Sequence, residues 1–313
     1  MDGLILVHKP QNFTSHDVVK NIRKTLKARK VGHFGTLDPL ATGLLPVALG
    51  KATRLFPLFL DTAKTYKGKI RLGFSTDTYD SEGKPTSKIA SKLPKEKIIR
   101  AAAKEFKGEI TQISPAYSAK KFKGKPSYTL ARQNKEIELK HNKVFIYRFY
   151  IENYTPPFID FEATCSSGTY IRSLAHDLGQ KLKCGAHLVQ LIRTNVGNYS
   201  IKHSYTLDEI ARSYRKGHAK KMLLPLESLL PELPRVVLKK ARALSVQDGC
   251  SIPSDWVLKI IPGEKIKSKK RDKKKTVFRI FSAEGELLAF AREERENGIL
   301  HPFLVIKPRE RSP

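Results

Sequence analysis

Residues 32–43 read Gly-His-Phe-Gly-Thr-Leu-Asp-Pro-Leu-Ala-Thr-Gly and place one carboxylate, Asp38, on a segment built for stiffness. Pro39 fixes its own φ and pushes Asp38 out of the α region toward an extended conformation. Gly32, Gly35 and Gly43 permit close backbone approach, or dihedrals that other residues avoid. His33 and Phe34 stand just upstream of the aspartate. An Asp-Pro pair among glycines is also common turn chemistry. Spacing alone therefore leaves two readings, a plain turn or a carboxylate held out for catalysis, and the stiffness of the loop suits the second.

The flanking elements must position that loop. Leu4 to His8 reads as a short strand, and Thr14-Ser15 caps a helix with Val18, Val19, Ile22 and Leu26 on one face. From Lys64 to Gly73 the pattern alternates: Tyr66, Gly68, Ile70 and Leu72 point one way, Lys67, Lys69 and Arg71 the other. That is a half-buried strand with a basic outer face. Residues 76–83 form a polar turn, and Pro94 opens a helix through Ile98, Ile99, Ala102 and Phe106. Val144 to Ile151 and Phe158 to Cys165 read as strands. Gly168-Thr169-Tyr170-Ile171-Arg172 starts a helix through Leu174, Leu178 and Leu182, ended by Cys184-Gly185-Ala186-His187. Irregular alternation with hairpin-like pairs predicts an α+β fold with a mixed, largely antiparallel sheet.

Prolines at Leu230-Pro231-Glu232-Leu233-Pro234 interrupt the pattern and predict a boundary, giving domains 1–232 and 233–313. Beyond it lie short strands at Val277 to Phe281, Glu286 to Arg292 and Phe303 to Ile306, with glycines at 249, 263, 285 and 298, as in a small β-barrel. Ser114 to Arg132 interleaves Tyr117, Phe122 and Tyr128 with Lys120, Lys121, Lys123 and Lys125, a composition that suits RNA backbone neutralisation and base stacking, or a lysine-rich surface hairpin. Lys265 to Lys275 carries eight basic residues in eleven and must be exposed, either as a mobile loop adding non-specific RNA affinity or as a phosphate-contacting arm.

The 59 Lys+Arg against 30 Asp+Glu leave a net charge of +29, which favours a polyanionic partner, nucleic acid ahead of a membrane surface. Met1 to Val7 reads as a strand rather than a signal peptide, and no apolar run approaches the roughly 20 residues needed to span a bilayer. Cys165, Cys184 and Cys250 are widely spaced and odd in number, so neither a zinc nor a disulfide framework is expected, in keeping with a reducing cytoplasm. The nine histidines show no metal spacing. No metal and no cofactor is expected.

The string from Gly32 to Gly43, continued by Leu44-Leu45-Pro46-Val47-Ala48-Leu49-Gly50-Lys51-Ala52-Thr53-Arg54, resembles the catalytic loop of the TruB family of RNA pseudouridine synthases in its bacterial form. The resemblance extends over most of residues 3–210. It implies that Asp38 is the nucleophile, that Tyr66 stacks on the target base and that Arg172, within Cys165-Ser166-Ser167-Gly168-Thr169-Tyr170-Ile171-Arg172, pairs with the aspartate. It further implies that Tyr170 and Leu191 line the base pocket and that Asp80 belongs to the arginine's network. Lys9-Pro10 would support the loop beside the substrate. His33 would enter the stack that the base leaves, with Phe34 beside it.

By the same resemblance, residues of about 115–145 form a thumb-like RNA-binding insert and the C-terminal domain is PUA-like. The substrate is then tRNA, at the uridine conventionally numbered 55 in the T-loop, and the enzyme is a cytoplasmic monomer with no obligate protein partner. Two departures bear on RNA fit: Ile192 stands where an arginine commonly follows the pocket leucine, so that Arg193 comes one place later, and Arg132-Gln133-Asn134-Lys135 has asparagine where glycine is usual.

Pseudouridylation breaks the C1′–N1 bond and rejoins the ribose to C5 of the same base, with no net redox change. Attack at C6 of the uracil, attack at C1′ and a glycal route are all compatible with one aspartate. A nearby guanidinium keeps such a carboxylate ionised where burial alone would neutralise it. Two rival readings are a guide-RNA-dependent rRNA pseudouridine synthase and a non-catalytic RNA-binding or RNA-folding protein on the same scaffold.

Overall fold

The computed structural model describes residues 1–59, 62–113, 121–122, 125–126, 141–263, 276–293 and 298–306. The chain forms two compact units: Ile5–Val47 with Leu55–Ala219, and Met1–Leu4 with Ala48–Arg54 and Lys220–Pro313. Most of the expected thumb-like insert and the Lys265 to Lys275 tract lie outside the described residues, as does Arg132-Gln133-Asn134-Lys135. Within the insert, two-residue strands β6 (Lys121–Phe122) and β7 (Lys125–Pro126) pair with each other.

A nine-stranded sheet organises the larger unit. Its path runs β1 (Gly3–Lys9), β3 (Thr42–Leu49), β10 (Ala186–Val196), β4 (Lys64–Leu72), β9 (Phe158–Cys165), β8 (His141–Thr155) and β5 (Gly108–Ile113), with β2 (Val31–His33) beside β3 and β11 (Tyr199–Ser200) beside β10. The β3–β10 pair is parallel and the β4 pairs are antiparallel, so the sheet is mixed α+β as expected. Helix α1 (Ser15–Thr25) starts in a capping box: the Thr14 hydroxyl accepts from Asp17 N–H and the Asp17 carboxylate accepts from Thr14 N–H. Its buried Val18, Val19 and Ile22 follow helical spacing. Helices α2 (Glu96–Lys104) and α3 (Ile171–Lys181) contribute to one apolar cluster with the sheet, through Ile99, Ala102, Ala103, Leu174 and Leu178.

Alternation along β4 holds: Tyr66, Ile70 and Leu72 are buried. Its basic face is not free. Lys67 lies 2.5 Å from Glu152 and 3.8 Å from Glu162, and Lys69 lies 2.7 Å from Asp160, so carboxylates on β8 and β9 pair with both lysines. Of the two adjacent isoleucines of α2, Ile99 is buried in the apolar cluster and Ile98, about 100° further round the helix, is exposed. Ala186 and His187, expected to end a helix, begin β10 instead. Gly185 sits at φ +71° with the Ser75 backbone nitrogen 2.8 Å from where a Cβ would lie, so the chain turns sharply there and leaves extended.

The C-terminal unit contains a five-stranded sheet in the order β13 (Val257–Ile261), β12 (Arg235–Leu238), β14 (Val277–Phe281), β15 (Leu287–Glu293), β16 (Leu300–Val305). Val236, Leu238, Ile280, Leu288 and Ala289 lie in its core. Among the described residues no closed barrel is found: β13 and β16 stand at the two ends of the strand order, and β12 pairs with β14 in parallel. Among these residues no helix is long and apolar enough to cross a membrane.

Gly43 shows how tightly β3 and β10 meet. It lies at φ +102°, and a Cβ there would come 2.5 Å from the Arg193 carbonyl oxygen. Gly43→Ala is expected to cost about 2 kcal/mol or more through the disfavoured φ and the backbone clash. Urea unfolding checks this: the midpoint should fall, and an unchanged midpoint would contradict the packing.

Candidate active site

Asp38 leaves the end of a loop that has no regular secondary structure, yet every backbone carbonyl from Gly35 to Pro39 is bound. Arg193 Nη2 donates to Gly35 O at 2.9 Å and Arg193 Nη1 to Thr36 O at 3.4 Å. The Ser15 hydroxyl donates to Leu37 O at 3.1 Å, and Ala41 N–H donates to Asp38 O at 3.1 Å. Pro39 O accepts from Asn12 N–H at 2.9 Å and from Lys9 Nζ at 3.3 Å. A buried backbone group without a partner is costly, so this arrangement fixes the loop. The side chains of Leu37 and Leu40 then dip into the cluster that contains Tyr66 and Leu191.

The Asp38 carboxylate points the other way, with 37% of its side chain exposed, and Oδ2 lies 2.9 Å from Nε of Arg172, whose side chain is 6% exposed. The far end of the same guanidinium serves Asp80: Nη1 lies 3.3 Å from its Oδ2 and donates to Thr78 O at 3.1 Å. Asp80 is itself held by the Thr78 hydroxyl and by Glu82 N–H, at 3.1 Å for the latter. One arginine thus bridges two carboxylates, with the buried one orienting it toward the open one. A planar fork can do this and a lysine ammonium cannot.

The structure joins Asp38, Arg172 and Asp80 directly and sets Lys9, Tyr66 and Leu191 against the loop that carries Asp38. Lys9 is 0% exposed and Asp80 is buried, so both sit behind the site, holding the loop and Arg172, rather than at its mouth. Tyr66 is buried, and burial raises the pKa of its hydroxyl. The adjacent Arg193 opposes this and Asp38 adds to it. The phenol stays protonated at neutral pH. Leu191 is nearly buried. Tyr170 is half-buried at the cap of α3, its backbone N–H donating to Gln112 Oε1 at 3.0 Å and its carbonyl accepting from Gln112 Nε2 at 3.2 Å. His33, at the end of β2, is half-buried with its pKa lowered, first by burial and then by Arg193 and His16, so its ring is neutral at pH 7. Phe34 is core: its ring centroid is 4.3 Å from that of Phe59, which corrects the expectation that it stacks beside RNA.

Arg193, Ser15 and Gln112 carry more of the site than the sequence suggested. Arg193 is 1% exposed, with Nε also donating to Leu44 O at 2.8 Å. Leu191 and Arg193 lie two apart on β10 and share its inner face, while Ile192 between them is 41% exposed. Arg193 therefore faces the loop that carries Asp38. Reading residues 186–196 as a strand would have revealed it. Among the described residues, no group of three or more His, Cys, Asp or Glu side chains is arranged to hold a metal ion.

A site built on a carboxylate, a bridging arginine and a buried aromatic, beside a mixed sheet, can be compared with known proteins. The family model for the N-terminal domain of TruB family pseudouridylate synthases matches residues 23–171, and that for the tRNA pseudouridylate synthase B C-terminal domain matches residues 172–231. The chain is 42% identical over 255 residues to the tRNA pseudouridine synthase B of Solibacter usitatus (81% of this chain, 87% of the relative). It is 40% identical over 309 residues to that of Thermotoga petrophila (99% and 96%). A structure of an H/ACA RNP bound to a substrate RNA containing 2′-deoxyuridine superposes with a TM-score of 0.75 at 27% identity, covering 98% of this chain and 86% of that one. The chain belongs to the TruB family of pseudouridylate synthases, which are RNA isomerases.

Burial lowers the pKa of Lys9 to about 8, with Asp38 opposing and Arg193 reinforcing the shift. Protonated, its ammonium donates to Pro10 O, Phe13 O and Pro39 O. As the amine it has only two hydrogens for three carbonyls. Single-turnover rates are expected to fall as the pH rises through about 8, and Lys9→Met is expected to be slow at every pH without that limb. A wild-type rate that stays flat to pH 9.5 would contradict the assignment. For folding the sign is opposite. The depressed native pKa means that the unfolded chain binds more protons between pH 8 and 10.5, so this group's stability penalty eases there.

Proposed function

We propose that this protein converts a uridine of tRNA, the one at position 55 in the T-loop, to pseudouridine, with Asp38 as the nucleophile. The observation that carries the reading is the half-exposed Asp38 carboxylate, 2.9 Å from an arginine that is itself pinned by a buried second aspartate. The tRNA substrate is supported by relatives of about 40% identity that are named tRNA pseudouridine synthase B. A tRNA-modifying enzyme works where tRNA is, so the cytoplasm belongs to the same proposal.

The chemistry follows from the site. The target nucleotide leaves the stack, at a cost of roughly a few kcal/mol, and the neutral ring of His33 fills the space it vacates. Tyr66 and Leu191 line the base pocket, with Tyr170 at its rim. Asp38 attacks while Arg172 holds its charge in place, the C1′–N1 bond breaks, and the base reorients within the pocket. C5 bonds to C1′, the bond to Asp38 breaks and returns its electron pair to the carboxylate, N1 gains a proton and C5 loses one, so that product and substrate are isomers. In this proposal the protonated hydroxyl of Tyr66 relays that C5 proton, taking it on oxygen as it hands on its own. Residues 1–232 carry the reaction in this proposal, and 233–313 add RNA contacts in the manner of a PUA domain, as the insert at about 115–145 does.

A second reading, a guide-dependent synthase, draws on the resemblance to the H/ACA RNP structure. The lower identity of that match, 27% against about 40%, favours the stand-alone enzyme, which needs no obligate partner and works as a monomer.

The test is pseudouridine mapping in unmodified tRNA transcript incubated with the pure protein. Modification at position 55, lost when that uridine is replaced by cytidine, is expected; no modification without a guide RNA would overturn the stand-alone reading. Asp38→Asn should lower turnover by more than about 10⁴-fold with tRNA affinity within a few fold. Arg172→Lys should lose about 10²-fold or more, because a point charge cannot bridge the two carboxylates. Asp38→Asn that turns over normally, or that no longer binds tRNA, would remove Asp38 as the nucleophile.

A further inference from the structure

Ser15 lies in the first turn of α1, where a serine ordinarily serves the helix cap. Here the cap is Thr14, whose hydroxyl accepts from Asp17 N–H, and Ser15 is 2% exposed and turned inward. Its hydroxyl accepts from Leu37 N–H at 2.8 Å and donates to Leu37 O at 3.1 Å. One side chain thus satisfies both backbone groups of the residue immediately before Asp38, as a neighbouring β-strand would for a paired residue. The loop has no strand on that side, and Leu37 is itself buried, so the hydroxyl takes the place of a ladder. The rigid, capped end of a helix is a fixed reference point, and Leu37 is the residue through which that point reaches the carboxylate.

We infer that Ser15 is a positioning residue for the reaction: its two hydrogen bonds set the register of Leu37 and so aim Asp38 at Arg172 and at the substrate. This rests on Asp38 being the nucleophile. Arg193 and Lys9 hold the loop from other sides, through Gly35, Thr36 and Pro39, and none of these contacts reaches Leu37. Without the Ser15 hydroxyl the loop keeps its ends and loses its middle. A misplacement of about 1 Å at a reacting group is enough to cost about 10²-fold in rate.

The experiment compares Ser15→Ala and Ser15→Thr with wild type and Asp38→Asn, measuring single-turnover pseudouridylation of tRNA transcript, tRNA affinity and thermal unfolding. Ser15→Ala is expected to react about 30- to 100-fold more slowly while binding tRNA within about threefold of wild type. Ser15→Thr, which keeps the hydroxyl, should recover most of the rate. A fast Ser15→Ala beside an inactive Asp38→Asn would overturn the positioning role and leave the nucleophile standing. An active Asp38→Asn would instead overturn the reading on which the inference rests. A slow Ser15→Ala that Ser15→Thr does not rescue, with binding and unfolding temperature lost in parallel, would make Ser15 a general structural residue and also overturn the inference. Should Ser15→Ala fail to fold, Ser15→Cys, which keeps the shape and weakens both hydrogen bonds, takes its place with the same readings.

Discussion

A half-exposed carboxylate on a loop without secondary structure stays where it is only if something outside the loop holds it. In this protein the holding group is the buried Arg172 guanidinium, shared between Asp38 and Asp80. A buried arginine with one exposed partner would be a poor anchor, since desolvating it is costly unless the remaining hydrogens are used. Asp80 and the Thr78 carbonyl use them, and the 76–83 turn around Asp80 is closed by its own hydrogen bonds. The direction of Arg172 is thereby set before any substrate is present, and the direction of Asp38 follows from it.

The same logic extends along the loop backbone. Regular structure would supply partners for the carbonyls of residues 35–39, but it would also flatten the loop against the sheet and bury Asp38. Side chains from three separate elements serve instead: Lys9 at the end of β1, Ser15 at the start of α1 and Arg193 on β10. Each can hold a carbonyl without extending the sheet, and Leu37 and Leu40 anchor the loop from below. The site is therefore a consequence of the nine-stranded sheet, which brings β1, β3, β10 and β4 side by side, with Gly43 allowing β3 to approach the Arg193 backbone.

Much of this was legible in the sequence. Alternation along β4 identified the inward Tyr66, the 3.6-residue spacing of α1 gave its buried face, and the strands at 158–165 and 277–281 appeared where β-branched and aromatic residues cluster. The Gly-rich loop with Asp38 stood out because proline and glycine restrict the backbone in ways that sequence records directly. What escaped notice depended on three-dimensional pairing. Arg193 reads as an ordinary surface cation until residues 186–196 are seen as a strand, and Ser15 reads as a cap until Leu37 is beside it. The pairing of Lys67 and Lys69 on the basic face of β4 was not legible, because their acidic partners lie on β8 and β9, about 90 residues away. The parallel pairing of β12 with β14 escaped for the same reason, since strand order is set by pairing and not by the strands' own composition.

The loop that carries Asp38 is fixed before RNA arrives. Hydrogen–deuterium exchange of the segment 33–42 in the free protein tests it most directly, because the Phe34, Leu37 and Ala41 amides all donate within the protein. Protection comparable to that of β3 and β10 is expected, changing little when tRNA is added. Exchange at the rate of an open chain, with protection appearing only in the presence of tRNA, would contradict it.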